Sequence, residues 1–465
     1  MFDRKLPIHR VLAALATLAL ALATSGALSA ENWRPDPLTP SLGHPGYDTL
    51  HTTIALELDI PAGAIDRGVA TITAAATEPL ANIVFDLRDG VTVDRVLVNA
   101  APTEFTHQND DLNVSLPAPA NAGDTLTVEV DYHGIPGDIA DYYQRGWWAD
   151  GQTIFIIGEP GGAEAWFPVN NEPLDAAVWT LDLTVPAGVT VVAGGAPGPV
   201  TTDNGKTTTR WLYEDPVAPY LLAFAAGNFD VLHPANPAGV ALTFAVPPGL
   251  DPDKLAVFDA TPEMIDYFTT LFGPFPGKRF GAAVVDDFGG ALETEEMVIF
   301  GAPSVTYETL AHELAHQWFG NSVRLESWSD IWLNEAFGRY AEILWTEHEE
   351  GPIARDAALQ ALASTVRRHH ASATPPIGRP TADSMFGGDT YNLGALALHA
   401  LRGELGDVAF FRLLHEWNSR YANQAVGTAE FIALTSEIAG HDMTGFFDEW
   451  LYAPVLPDPL LVPAG

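Results

Sequence analysis

Thr306-Tyr-Glu-Thr-Leu-Ala-His-Glu-Leu-Ala-His-Gln-Trp-Phe-Gly320 contains neither Pro nor Gly until its last residue, and this composition predicts a helix over the segment. His312 and His316 are four residues apart, so both imidazoles leave one face of that helix about one turn from each other. They can converge on a single zinc ion. Glu313 lies next to His312 and can reach water in the same cleft, where it would act as general base and pass the proton to a leaving amine. Two histidines on a helix that merely faces the core would show the same spacing.

A tetrahedral zinc site needs a third protein ligand while its fourth position stays open to water. Glu335 is the candidate. It sits in Trp328-Ser-Asp-Ile-Trp-Leu-Asn-Glu-Ala-Phe-Gly-Arg-Tyr-Ala-Glu342, a second amphipathic stretch, with eighteen residues between it and His316. That interval leaves room for a helix, a turn and an antiparallel return. A solitary Glu on a helix is ordinarily solvated, but Trp332, Leu333 and Phe337 around this one are apolar and turn the helix inward. Asp330 and Glu342 are either acceptors for the ligand imidazoles or surface carboxylates.

Outward from this centre the chain has two textures. From Glu31 to about residue 237 it reads as short β runs broken by turn signals: residues 51–60, 69–73, 112–116, 125–132, 178–185 and 189–193. Thr125-Leu-Thr-Val-Glu-Val-Asp-Tyr132 alternates apolar and polar residues as a half-buried antiparallel strand should. After His233-Pro-Ala-Asn-Pro237 the pattern changes, and residues 251–272 place Leu255, Phe258, Met264, Ile265, Phe268, Leu271 and Phe272 near helical spacing. The expectation is a multidomain α+β protein: a β domain over 31–237 and a mainly helical domain over 238–465.

The 465 residues carry 22 basic and 60 acidic side chains, a net charge of −38. That field repels phosphate backbones and anionic lipid, so nucleic acid is excluded as the expected partner. Solubility in high salt would favour the same surplus of carboxylates. There is no cysteine, which rules out disulfides and thiolate ligands, so any metal site must use His and carboxylate. Residues 1–30 have the layout of a cleavable signal peptide: Arg4, Lys5 and Arg10, then an apolar run from Val11 to Thr24, then small residues. The run is shorter than the roughly 20 residues that span a bilayer. Export to the periplasm or the medium follows, with attachment at the cell surface as a variant, and no stable membrane span once the leader is removed.

His312-Glu-Leu-Ala-His-Gln-Trp-Phe-Gly-Asn321 followed by Trp332-Leu-Asn-Glu335 resembles the zinc signature of the aminopeptidase N family, peptidase family M1, a gluzincin group. Gly290-Ala-Leu-Glu-Thr294 is similar to the family's Gly-x-Met-Glu-Asn element, which implies that Glu293 binds the substrate's free amine with Gly290 and Ala291 beside it. Glu159-Pro-Gly-Gly-Ala-Glu-Ala-Trp-Phe-Pro168 resembles the β-domain segment that supplies a second acid, here Glu159. Tyr391-Asn-Leu-Gly-Ala395 resembles the Tyr-x-x-Gly-Ala element, whose tyrosine stabilises the tetrahedral intermediate. Phe446 to Tyr452 looks like the end of the catalytic unit.

The resemblance runs from about residue 45 to 455 and implies a saddle- or sandwich-like β domain before a thermolysin-like catalytic domain. It departs from the family at Leu292, Thr294, Ala336 and Leu393, none of them an inferred ligand, base or amine anchor. The chain stops near the end of the catalytic domain, so weaker enclosure of substrate is expected than in larger members. The implied activity is zinc aminopeptidase, with one Zn2+ per chain, a Glu general base acting on zinc-activated water, and free-amine peptides as substrates. A thermolysin-type endopeptidase, which needs no amine anchor, and a catalytically idle binding or scaffold member are the competing readings.

Overall fold

A computed structural model describes residues 35–137, 145–370 and 374–460, and the expected leader over 1–30 lies outside them. No helix among the described residues is long and apolar enough to cross a membrane. The first half is all β. An eight-stranded sheet runs in the order Ala196–Asp203, Lys206–Val217, Ala177–Pro186, Tyr47–Asp59, Ala64–Ala76, Thr125–Gly134, Val91–Val98 and Ala101–Pro102. Its strands alternate buried and half-exposed residues, so one face packs on the core while Thr and charged residues occupy the other. All pairings in it are antiparallel except that of Tyr47–Asp59 with Ala177–Pro186, where His51 sits opposite Val178. Leu80–Asp86, Asp111–Ala120 and Phe105–Gln108 form a three-stranded sheet, and a four-stranded sheet joins Thr190–Ala193, Phe224–Gly227, Ile154–Ile157 and Gly146–Ala149.

The second half opens with a mixed five-stranded sheet before its helices. The order is Asp230–Leu232, Ala241–Val246, Arg279–Val285, Val298–Gly301 and Ala291–Leu292. The proposed division at residue 237 falls in the loop between the first two of these paired strands. The helical spacing over 251–272 is realised as helices α1 (Pro252–Val257) and α2 (Thr261–Phe272), joined by a 3-10 turn at Phe258–Ala260. Pro262 explains the break, because it has no N–H to donate and is accepted only in a first turn. Helix α3 (Tyr307–His316) is capped by Thr306, whose hydroxyl accepts from the Thr309 N–H at 3.1 Å. It ends at His316, four residues short of the expected end. Beyond it the chain folds back on itself, with Asn321 N–H donating to the His316 carbonyl and Gly320 at φ +119°.

Helix α4 (Trp332–Glu350) follows one 3-10 turn at Trp328–Asp330 and is buried along most of its first four turns. Then come α5 (Pro352–His369), α6 (Gly388–Leu405), α7 (Asp407–Arg420), α8 (Thr428–Ala439) and the short α9 (Thr444–Phe447). The halves meet on apolar and polar contacts. Trp148 and Phe155 of the β half stack on each other and both pack against Phe288 of the other half. Asp36 accepts from Ser327 Oγ and Trp328 N, each at 2.7 Å, which ties the first described segment to the entry of α4.

Candidate active site

The last turn of α3 lies against the first turns of α4. Glu335, Gly338 and Glu342 lie three, four and seven residues apart and therefore share one stripe of α4. His312 lies along that stripe. Its Nδ1 is 2.9 Å from Glu342 Oε1, its Nε2 is 3.3 Å from Glu335 Oε2, and a β-carbon on Gly338 would sit 2.7 Å from Nε2. Glycine is the residue that leaves the ring its place. Glu342 is held in turn by Arg339 Nη1.

His316 is oriented from the backbone, with Nδ1 at 3.1 Å from the Phe319 carbonyl in the turn that ends α3. Its Nε2 is 3.8 Å from Glu335 Oε2. In both imidazoles Nδ1 is engaged and Nε2 faces the same carboxylate, which fixes the tautomer a metal requires. One donor atom each of His312, His316 and Glu335 lies within 4.8 Å of the others. A tetrahedral ion with bonds of about 2.0–2.1 Å spaces its donors about 3.3 Å apart, so two nitrogens and one oxygen so placed fit zinc.

Three more carboxylates line the same space. Glu159, Glu293, Glu313 and Glu335 are each between 3% and 8% exposed. Gly158 brings Glu159 there: its strand Ile154–Ile157 passes so near the Tyr220 carbonyl that a β-carbon would meet it at 2.3 Å. Glu293 follows the edge strand Ala291–Leu292, and its carbonyl accepts from Asn321 Nδ2 at 2.9 Å. Gln317 adds a second tie, its Oε1 accepting from the Glu296 N–H at 3.1 Å. Sequence reasoning gave Gln317 and Asn321 no separate role; their place just after the second histidine was the available signal.

Burial raises the pKa of Glu313 well above the usual carboxylate value, against the opposing charge of His312. Burial and then the charge of Glu335 push Glu293 up to about 8, and burial with Glu293 beside it raises Glu159 well above the usual carboxylate value. His316 is pushed down to about 4, first by burial. For His312 burial lowers the pKa, but the hydrogen bonds to Glu335 and Glu342 more than reverse that and leave it raised. Carboxylates so poorly solvated call for positive charge in the cleft.

Tyr391 stands in the first turn of α6, and its ring lies nearly parallel to that of His312, at 6.1 Å and 23°. Gly290 precedes and Ala291 begins Ala291–Leu292, the outermost strand of the five-stranded sheet. The structure thus gathers His312, His316, Glu335, Glu313, Glu293 and Glu159, and sets Tyr391 beside them. Asp330 is elsewhere. It accepts from Thr428 N and Oγ1 at 3.0 and 2.6 Å and touches neither imidazole, because it falls in the 3-10 turn before α4.

Residues 258–450 match the peptidase family M1 domain. A Glu-to-Ala mutant of the M1 zinc metallopeptidase from Deinococcus radiodurans superposes with a TM-score of 0.86 at 30% identity, covering 94% of this chain and all of that one. A mutant of the same enzyme bound to a Tyr-Ser-Ala substrate gives 0.85 at 29%, with the same coverage. Aminopeptidase M1-C of Oryza sativa subsp. japonica is 25% identical over 473 residues, 93% of this chain and 52% of the relative. The chain spans about half the length, or less, of the curated relatives it matches.

Two imidazoles from one helix and a carboxylate from the next, with an acid beside the first imidazole, define a zinc metallopeptidase of the gluzincin class. Within that class the chain belongs to peptidase family M1, the aminopeptidase N family.

Proposed function

We propose that the chain is an exported aminopeptidase that holds one catalytic zinc and removes N-terminal residues from peptides. The observation that carries this reading is the placement of Glu159 and Glu293, both buried, within 4.8 Å of the ligand Glu335. A substrate ammonium held by those two acids stands one residue from the bond to be cut. An endopeptidase has no use for buried anions there. His312, His316 and Glu335 would hold the zinc, which when bound supplies Lewis-acid polarisation of the scissile carbonyl and of the attacking water.

Glu313, beside the first imidazole, takes the proton from that water and delivers it to the leaving amine. Tyr391 O–H donates to the oxygen on which negative charge develops. Gly290 and Ala291, on an open sheet edge, bind the peptide main chain. Export rests on the leader over 1–30, and the domain division at 237 on the change of texture in the sequence.

The test is an assay of the mature chain on free-amine and N-acetylated peptides of one sequence, with and without a chelator. Cleavage restricted to the free-amine peptide and abolished by chelation is expected. Equal cleavage of both would sink the reading in favour of an endopeptidase, and stoichiometric zinc with no turnover would leave an idle family member.

A further inference from the structure

In the β half, His44, Asp86 and Asp111 bring one imidazole nitrogen and two carboxylate oxygens within 4.8 Å of one another, and they share no residue with the catalytic cluster. Three stretches of chain meet there: the segment that enters Tyr47–Asp59, the end of Leu80–Asp86 and the start of Asp111–Ala120. His44 Nε2 is 3.1 Å from Asp111 Oδ1 and 3.4 Å from Asp86 Oδ1. A tetrahedral ion with bonds of about 2.0–2.2 Å spaces its donors about 3.3–3.6 Å apart, so these atoms already stand near ligand separation.

The donors are held from behind. Asp86 is 1% exposed, and its Oδ2 accepts from the N–H groups of Gly43 and Asn171 at 3.1 and 2.8 Å, which turns Oδ1 toward His44. The His44 N–H donates to Asn170 Oδ1 at 2.7 Å. Ties of this kind aim ligand side chains. Asp86 and Asp111 are direct partners across their antiparallel strands, where like charges destabilise. Among the described residues neither Arg nor Lys makes an ion pair with them, and His44 does. Burial lowers the pKa of His44, but the hydrogen bonds and charges of Asp86 and Asp111 more than reverse that, so the position draws positive charge. A proton on His44 offsets one of the two negative charges, whereas a divalent ion offsets both. On the open side His44 and Asp111 line a groove of about 260 Å³ with Thr106, Gln108 and Asn113, which admits water to a fourth coordination position. An imidazole beside two carboxylates selects zinc over calcium, which takes oxygen ligands alone.

We infer that His44, Asp86 and Asp111 form a zinc site of the β half, which fastens the segment before Tyr47–Asp59 to the three-stranded sheet. It takes no part in the reaction and does not rest on the aminopeptidase reading.

Equilibrium dialysis of the metal-free full chain against zinc, with calcium in excess, tests it. At a free zinc concentration that just fills the wild type, Asp111→Asn should hold one equivalent fewer, because loss of a ligand weakens the site at least about tenfold. His44→Gln should show the same deficit and serves as the independent variant should the other fail to fold. Glu335→Gln, which removes a ligand of the catalytic ion, should keep the β-half equivalent, so a failure of the aminopeptidase reading leaves this count untouched. Anomalous diffraction at the zinc edge, from crystals of the full chain soaked in zinc, should place an ion between the three side chains. Equal zinc counts in the wild type and both variants, displacement of this zinc by calcium, or an anomalous map without an ion between His44, Asp86 and Asp111 would each overturn the site.

Discussion

Gly394 of α6 and Ala336 of α4 approach so closely that a β-carbon on the glycine would lie 2.5 Å from the alanine's own. Ala336 is the neighbour of Glu335, and Gly394 is one turn beyond Tyr391, so this contact sets how far the tyrosine stands from the triad. Gly394→Ala must push the helices apart. Overpacking of this kind costs about 1–3 kcal/mol. The expected outcome is a lowered Tm and a lowered kcat, with zinc content unchanged; a variant with wild-type kcat would separate the contact from the chemistry.

A second glycine, Gly338, governs metal retention. Its substitution by Ala places a methyl group 2.7 Å from His312 Nε2, the atom that faces Glu335. Glu342→Ala removes the acceptor that holds the other ring nitrogen. Loss of such an acceptor typically weakens metal binding by about 10–100-fold. Both variants should therefore release zinc to a chelating dye faster than the wild type, and retention at the wild-type rate would argue that the ring is held by other contacts.

Tyr391 and Glu313 are tested by one variant series. Tyr391→Phe removes one oxyanion donor and should lower kcat by about 10²–10³, with KM for a free-amine peptide little changed. Glu313→Gln removes the base and should lower kcat by about 10²–10⁴. In both, bound zinc should remain at the wild-type level. Steady-state kinetics beside metal analysis would expose a merely structural tyrosine, since its loss would move Tm and leave kcat in place.

The spacing of His312, Glu313 and His316 is legible in the sequence because it depends on helix periodicity, Glu335 because an apolar stretch after a short interval carries it, and the β half because its strands alternate. The five-stranded sheet was not legible. Arg279–Val285 and Val298–Gly301 are buried on both faces, so they form apolar runs with neither a period of two nor one of 3.6. Equally hidden were the contacts that depend on distant chain: the Phe319 carbonyl that orients His316, the glycines at 338 and 394, and Asp36 at the entry of α4. None has a local signature. The end of α3 at His316 was missed because Gln317, Trp318 and Phe319 are adequate helix formers, while the tertiary bonds of Gln317 and Asn321 to the Glu293–Glu296 segment favour the turn.

Away from the cleft, Glu172 predicts how stability depends on pH. It is buried, and burial pushes its pKa up to about 8; the Asp36 N–H it accepts opposes this, and the charges of Asp36, Asp86 and Asp175 add to it. The unfolded chain releases that proton at the ordinary value, about 4.5. Between these two values the folded state binds more protons than the unfolded one. The stabilisation is therefore complete below about pH 4.5 and is lost as pH rises through about 8. Asp175, also raised by burial, to about 6, acts in the same sense over a lower window. Glu172→Gln keeps an oxygen for the Asp36 N–H and removes the ionisation. Its Tm should match the wild type's at about pH 4.5 and exceed it at about pH 9; a variant stabilised only in acid would show that the carboxylate is held ionised in the native state.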